Sequence, residues 1–259
     1  MSSILTRPIL LVDAYNLFTR HFIANPAMSI HGAPMGGTLG FMKSIARLTD
    51  MLNPFDVCIV WEGGGSPRRR AIYSDYKKKS RPQKLNRFYG DDIPDTVENR
   101  SYQIALTIEL LKTVPVKQIY VSDCEADDVI ASLVKRLRRD HPELNIRIIS
   151  RDKDLTQLID EKVELFDAHK GQTVMPDDVF KTPDMGVAPS MVGDILALMG
   201  DTSDNIKGVE GIGPKTAVKL IMEYGSIAGI YEHIDEIKGK RKENLIAGEK
   251  ALKLSRQLV

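Results

Sequence analysis

Four short apolar runs constrain the fold of this chain more than any other feature. They are residues 9–12 (ILLV), 57–61 (VCIVW), 118–121 (QIYV) and 146–149 (IRII). Each is rich in β-branched side chains and bounded by polar or turn residues, the pattern of strands buried in a sheet. Between them lie helical patterns. Residues 38–51 place Leu39, Met42, Ile45, Ala46 and Leu48 at helical spacing, and residues 96–111 and 126–138 behave similarly. This alternation predicts an α/β domain with a parallel sheet and helices on both of its faces. In such sheets ligands bind outside the carboxyl ends of the strands.

The length, 259 residues, suits one large domain or one domain with a smaller appendage, and an apolar content of 42% is ordinary for a chain with a real core. No apolar run approaches membrane-spanning length, and the start, MSSILTRPILLVD, is too briefly apolar and too soon acidic for a signal peptide. A cytoplasmic protein with no membrane partner is expected. Two cysteines, Cys58 and Cys124, exclude a disulfide framework and a zinc ribbon, and each is expected to end or follow a buried strand. The five histidines are scattered, with no HExxH. A metal here would have to be held by oxygen. The net charge of +1 hides a local pattern, because basic residues crowd positions 68–87. Residues 63–94 form a long polar stretch that breaks the alternation, and a loop of that length is functional or disordered. After Pro176 the strands stop and helices with Gly turns take over, so a domain change is placed at residues 176–188.

Acids follow the strand candidates. ILLV runs into Asp13 and VCIVW into Glu62. QIYV leads to Glu125, Asp127 and Asp128, and IRII leads to Asp152 and Asp154. Four strands thus deliver carboxylates to one sheet edge. Two carboxylates about 4 Å apart repel by roughly 4 kcal/mol at an effective dielectric of 20. Hard divalent cations remove that cost, and magnesium favours oxygen ligands. So many acids suit two ions, as in phosphoryl displacement. Taken singly, each acid is also explained as a helix cap: Asp127 and Asp128 open DDVIASLVKRL, and Asp154 would cap DLTQL. Capping does not require every strand to end on an acid, and the joint pattern favours the metal reading.

The segments EADDVIASL, SRDKDLTQL and GDTSDNIKGVEGIGPKTA are similar to motifs of the 5′ nuclease superfamily, which includes phage 5′-exonucleases and the 5′-nuclease domain of bacterial DNA polymerase I. The resemblance runs from about residue 9 to residue 255. It implies a PIN-like (Rossmann-like), mostly parallel sheet flanked by helices, a helical arch at about residues 63–98, and a C-terminal helix–hairpin–helix subdomain. The domain boundary it implies divides 1–180 from 181–259. It implies metal ligands at Asp13, Glu62, Glu125, Asp127, Asp128, Asp152 and Asp154, with Asp201 and Asp204 returning from the smaller domain. Arg69 and Lys77 in RRRAIYSDYK match the basic pair that faces the scissile phosphate, and Arg20 matches a further basic residue. Glu62 stands where the family usually has Asp. Arg81 lies four residues after Lys77 and three after Lys78, so the catalytic lysine is either of the two.

The basic stretch interleaves Arg68, Arg70, Lys78, Lys79 and Arg81 with Tyr73, Tyr76, Phe88 and Tyr89. Positive charge tracks a phosphate backbone and rings stack on unpaired bases. A solvated charge run is the bland alternative, and its place directly after an expected ligand argues against it. In GVEGIGPKTAVKL, Gly208, Gly211 and Gly213 permit a tight hairpin and Pro214 suits the first turn of the next helix. Exposed N–H groups there bind phosphate without reading bases, and Lys215 and Lys219 add contacts. The resemblance also implies a potassium ion at this hairpin.

The expected activity is a structure-specific 5′→3′ exonuclease and 5′-flap endonuclease using two Mg²⁺ ions, which Mn²⁺ replaces. Its expected partner is branched or 5′-ended DNA (flap, nick, gap) or an RNA primer–DNA hybrid. A monomer acting in replication or repair is expected, in a bacterial cell or phage-infected host. The chain is too short for a polymerase domain as well, so a free-standing nuclease is expected. Two rivals are a PIN-type ribonuclease and a branched-DNA-binding protein without turnover.

Overall fold

A computed structural model describes residues 7–78, 97–181 and 185–259. Their contacts sort them into two compact units. Residues 7–65, 97–151 and 161–173 form the first, and residues 66–78, 152–160, 174–181 and 185–259 the second. Two segments that precede residue 174, 66–78 and 152–160, therefore pack with the C-terminal part of the chain.

The first unit is built on a six-stranded sheet of β1 (Ile9–Asp13), β2 (Asp56–Trp61), β3 (Lys117–Tyr120), β4 (Ile146–Ile149), β5 (Val163–Asp167) and β6 (Gln172–Thr173). Their order is β3-β2-β1-β4-β5-β6, parallel throughout except for the β5–β6 pair. The chain works outward from β1 through β2 to β3, then crosses back to β4 on the other side of β1. The crevice at that reversal lies at the carboxyl ends of β1 and β4.

The helices in chain order are α1 (Ala14–Ala24), α2 (Gly36–Leu52), α3 (Pro67–Ile72), α4 (Val97–Leu111), α5 (Ala126–Asp140), α6 (Pro176–Phe180), α7 (Val192–Met199), α8 (Pro214–Tyr224), α9 (Ile227–Glu232), α10 (Lys240–Ala247) and α11 (Glu249–Leu258). In the first unit, Leu10, Val12, Ile59 and Trp61 pack with Phe18, Phe22, Phe41 and Leu48 of α1 and α2. Leu11 alternates to the opposite face of the sheet, and α5 packs on β1 and β2 outside that cluster. Leu10, Leu11, Val12, Ile59 and Ile148 are at most 1% exposed. Each such side chain stabilises the fold by roughly 1.5–3 kcal/mol.

The four strands expected from the apolar runs are present, shifted by a residue at some ends. Cys58 lies inside β2 rather than at its end, as a small buried apolar residue. β5 and β6 are additions. VELFD hides its strand character behind Glu164, which pairs with Arg147 directly across the β4–β5 ladder. An ion pair between neighbouring strands lets both interrupt an apolar run.

The second unit has its own core. α7 is apolar on nearly every face and is buried by α8 and α11, with Ile195, Leu198, Val218, Ile221, Leu245 and Leu252 at its centre. Gly200, at φ 74°, ends α7, and a Cβ there would stand 2.6 Å from the Ile206 carbonyl oxygen. Only glycine fits the turn that follows. No helix among the described residues is long and apolar enough to cross a membrane.

Candidate active site

The acids of the first unit are placed by strand ends and by the start of α5. Asp13 closes β1 and caps α1, its Oδ1 accepting from the Asn16 amide at 3.1 Å. Its Oδ2 accepts from Ser150 Oγ at 3.0 Å, just beyond β4. One carboxylate therefore caps a helix and also holds the residue that follows β4. Glu62 follows β2, is exposed, and accepts from the Ala126 amide at 3.2 Å. That geometry depends on Gly63, where a Cβ would stand 1.8 Å from the Val121 carbonyl oxygen. The Gly63 amide donates to Cys124 O and the Asp123 amide to Gly63 O, which fastens the end of β2 to the loop before α5. Glu125 is buried at the N-cap position of α5, with Asp127 and Asp128 in the first turn. Oxygen atoms of these three carboxylates lie within 4.8 Å of one another. The positive end of the helix offsets part of their repulsion.

The acids of the second unit gather around a short 3-10 turn, Lys153–Leu158. Its cap is Asp152, which accepts from the Asp154 amide at 3.1 Å, so the rival reading of Asp154 as a cap of DLTQL does not hold. The turn starts one residue earlier than DLTQL, and this frees the Asp154 side chain to meet Asp201 and Asp204, with oxygens within 4.8 Å. Asp201 and Asp204 sit on the loop after α7. The Asp201 and Ile206 backbones bond reciprocally, at 2.8 and 2.7 Å, and the Ser203 amide and hydroxyl both donate to Asp201 Oδ1 at 2.7 Å.

Two lysines face this second cluster. Lys153 Nζ donates to Asp201 Oδ2 and lies 3.7 Å from Asp154 Oδ1. Lys77 Nζ lies 3.4 Å from Asp204 Oδ2, and the Tyr76 hydroxyl donates to the same oxygen at 3.2 Å. The Lys77 amide donates to the Asp204 carbonyl, and Asn205 Nδ2 to the Asp75 carbonyl, so the 75–77 segment is fixed on the Asp204 loop. Burial, and then Asp152, push the Asp154 carboxyl up to about 7, against the pull of Lys153. Burial also pushes Asp201 up, but hydrogen bonds from Lys153 and Ser203 outweigh it and leave that carboxyl below its ordinary range. Lys153 is lowered by burial and raised more strongly by Asp154, Asp201 and Asp152 together. Asp154 Oδ1 is buried and accepts no hydrogen bond. A cluster of carboxylate oxygens, one of them buried without a donor, fits a hard divalent cation.

The basic residues separate into distinct settings. Arg69 on α3 donates from Nε to the Leu258 carbonyl at 2.8 Å, and its guanidinium lies 5.8 Å from the centre of the Tyr76 ring. Tyr76 is buried against Ile206 and Leu258. Lys78 points elsewhere, pairing with Asp75 at 2.9 Å, whereas Lys77 faces Asp204. Arg68 and Arg70 are exposed on α3. Lys79, Arg81, Phe88 and Tyr89, with most of the expected arch, lie outside the described residues. Arg20 pairs with Asp167 at the end of β5.

The hairpin between α7 and α8 carries Gly208 and Gly211 at φ 63° and 74°. A Cβ on Gly208 would stand 2.3 Å from the Gly200 amide nitrogen, and one on Gly211 2.6 Å from Asn244 Nδ2. Gly213 has ordinary extended backbone and open space around it, so it leaves the start of α8 uncovered. Pro214 is the first residue of α8, and Lys215 and Lys219 are exposed on it. Three residues escaped the sequence reading: Lys153, Arg151 and Asp167. Lys153 was visible inside the DKD triplet, whereas Asp167 was hidden with its strand.

Residues 8–183 match the family model of the 5′-3′ exonuclease N-terminal, resolvase-like domain, and residues 187–259 match that of the 5′-3′ exonuclease C-terminal SAM fold. The chain is 35% identical over 252 residues to the thermostable DNA polymerase I of Thermus thermophilus, covering 96% of this chain and 28% of the polymerase. It is 31% identical over 253 residues to a 5′-3′ exonuclease of Aquifex aeolicus, covering 96% of this chain and 82% of that protein. Among solved structures, the T5 D15 protein co-crystallised with metal ions superposes with a TM-score of 0.74 at 25% identity, over 98% of this chain and 89% of that one. The bacteriophage T5 D15 flap endonuclease in a complex with DNA and metal ions shares the fold, with a TM-score of 0.78 at 24% identity, over 98% of this chain and 89% of that one.

Proposed function

This chain belongs to the 5′-3′ exonuclease family, and from that premise we propose that it hydrolyses phosphodiesters at the 5′ side of branched or nicked DNA, as an exonuclease and 5′-flap endonuclease. The observation that carries the reading is that each unit holds a cluster of three carboxylates, the second of them faced by Lys153 and Lys77. Asp13, Glu62, Glu125, Asp127 and Asp128 would hold one Mg²⁺ ion, and Asp152, Asp154, Asp201 and Asp204 the other, with Mn²⁺ as a substitute. When bound, such ions supply an activated water and stabilise the leaving oxygen. Lys77 neutralises charge that develops on the phosphate, and its fixed backbone on the Asp204 loop holds its amine ready. The contrast between Lys77, against the acid cluster, and Lys78, tied to Asp75, supports Lys77 as the catalytic lysine. Arg69 is braced by the Leu258 carbonyl and the Tyr76 ring, and acts on the strand through its fixed positive charge.

Duplex DNA docks on the hairpin through the open start of α8 and through Lys215 and Lys219, with K⁺ as an aid at that turn. The 5′ strand follows Arg68, Arg70 and the basic residues that come after them. Because the chain spans only 28% of the length of the polymerases it matches, a replicative role in primer or flap removal in the cytoplasm is part of the proposal. A 5′-end-labelled flap oligonucleotide tests it. Metal-dependent release of short 5′ products is expected from the wild type, with loss in Asp128→Asn. Binding of flap DNA without turnover in Mg²⁺ or Mn²⁺ would overturn the reading.

A further inference from the structure

The first unit carries a pocket of about 440 Å³ at the carboxyl ends of β4 and β5, between those strand ends and the helices α1 and α2. Its lining includes Arg20, Arg47, Arg151, Ser44, His169 and Asp167. Three arginines thus line a pocket with one carboxylate, and two of them pair with it. Asp167 is buried, with only 3% of its side chain exposed. Its Oδ2 takes Arg151 Nε at 2.8 Å, and its Oδ1 lies 3.6 Å from Arg20 Nη1 while accepting from the His169 amide at 2.9 Å. One buried anion therefore anchors two guanidiniums and leaves most of their donors unspent.

A structural ion pair needs one arginine. Two beside one carboxylate leave an excess positive charge at the pocket wall, which an entering anion would offset. The neighbouring groups register that excess. Burial and then the Arg151 charge lower the Arg20 guanidinium, and Asp167 only partly restores it. Burial, Arg20 and His169 lower His21, which sits in the same wall and bonds Ser44 through Nε2 at 2.7 Å. The pocket also adjoins the acid site. Ser150 and Asn16 line it, and both donate to Asp13.

We propose that this pocket is a phosphate-binding subsite for the DNA strand, in which Arg151 and Arg20 form a guanidinium fork held by Asp167 and Arg47 adds a third cation. The fork matches the paired oxygens of a phosphate, which lysine could not match as well. Asp167 is a positioning residue, since it acts through the two arginines. The inference rests on the nuclease reading only for the identity of the ligand as DNA.

The test is binding of a fluorescent 5′-flap DNA to the whole chain in EDTA, measured by anisotropy across a salt series. Arg151→Gln is expected to reduce the slope of log K against log salt by about one, and to raise Kd by about eightfold near 0.1 M salt. Arg47→Gln, on an exposed side chain of the same pocket, is expected to act in the same direction, so the outcome does not hang on one variant folding. Arg151→Lys is expected to restore the slope but only part of the affinity. Running each variant on 5′-phosphorylated and 5′-hydroxyl DNA identifies the source: equal weakening assigns an internal phosphodiester, and weakening confined to the phosphorylated strand assigns the terminal phosphate. Unchanged Kd and slope in both Gln variants would overturn the subsite. Cleavage in Mg²⁺ is scored separately. A wild type that binds through the pocket yet never cuts would leave the subsite standing and remove the catalytic reading.

Discussion

The two carboxylate clusters solve the same electrostatic problem by different means. Glu125, Asp127 and Asp128 sit at the N-terminal end of a 15-residue helix, where backbone amides and the helix dipole offset their charge. Asp154, Asp201 and Asp204 sit on a 3-10 turn and a loop rather than in the first turn of an α-helix. There the offset comes from Lys153 and Lys77, and from Asp154 itself holding its proton to about 7. A fixed dipole remains in place when a cation arrives. A lysine must move and a proton must leave. The second cluster is thus arranged to exchange its lysine cations for a metal ion.

The largest effect that tests this contrast is catalytic. Asp128→Asn is expected to slow flap cleavage by about 10²–10³-fold, as the loss of a transition-state stabiliser does. Wild-type initial rates in that variant would break the assignment of the first cluster. Next in size, Lys77→Ala is expected to lower kcat about 10²-fold with KM little changed, while Lys78→Ala stays within a fewfold of the wild type. Equal losses in both would undo the distinction drawn from their partners, Asp204 and Asp75.

A smaller effect belongs to the hairpin. The double variant Lys215→Gln with Lys219→Gln is expected to weaken duplex binding by roughly tenfold or more and to lower the salt slope by about two. Its kcat at saturating DNA should be unchanged, which separates docking from chemistry.

The smallest effect sharpens the second cluster. A carboxyl raised in the folded state binds more protons folded than unfolded between its ordinary pKa and about 7. Stability of the metal-free protein should therefore fall as pH rises from about 4 to 7, and then level off. Asp154→Asn removes that slope and should stabilise the metal-free protein at pH 8 by about 1 kcal/mol. Thermal melts in EDTA at pH 5 and pH 8 measure it. Millimolar Mg²⁺ should raise the wild-type Tm more at pH 8 than at pH 5, because protons and the ion compete for one carboxyl. A stabilisation by Mg²⁺ that is larger at pH 5 would reverse the sign and reject the account.

Much of the sheet was legible in the chain. ILLV, VCIVW and IRII are strands because their β-branched side chains are buried, whereas QIYV forms the half-exposed edge strand β3. The hairpin was legible too, since Gly208 and Gly211 occupy positive-φ positions that other residues resist. β5 was not, because Glu164 pairs with Arg147 of the neighbouring strand. The same blindness concealed Asp167 and with it the arginine pocket.

What the sequence determined by itself was therefore local: which segments are strands or helices, which acids follow them, and where glycine allows a turn. What only the tertiary structure decided was partnership. It set Lys77 rather than Lys78 against Asp204, and seated two arginines on one buried carboxylate. The reason is physical. Propensity and hydrophobic period act between residues a few positions apart, whereas charge, hydrogen bonding and desolvation depend on distance in space. Arg20 and Asp167, or Tyr76 and Asp204, come within reach only once the chain has folded.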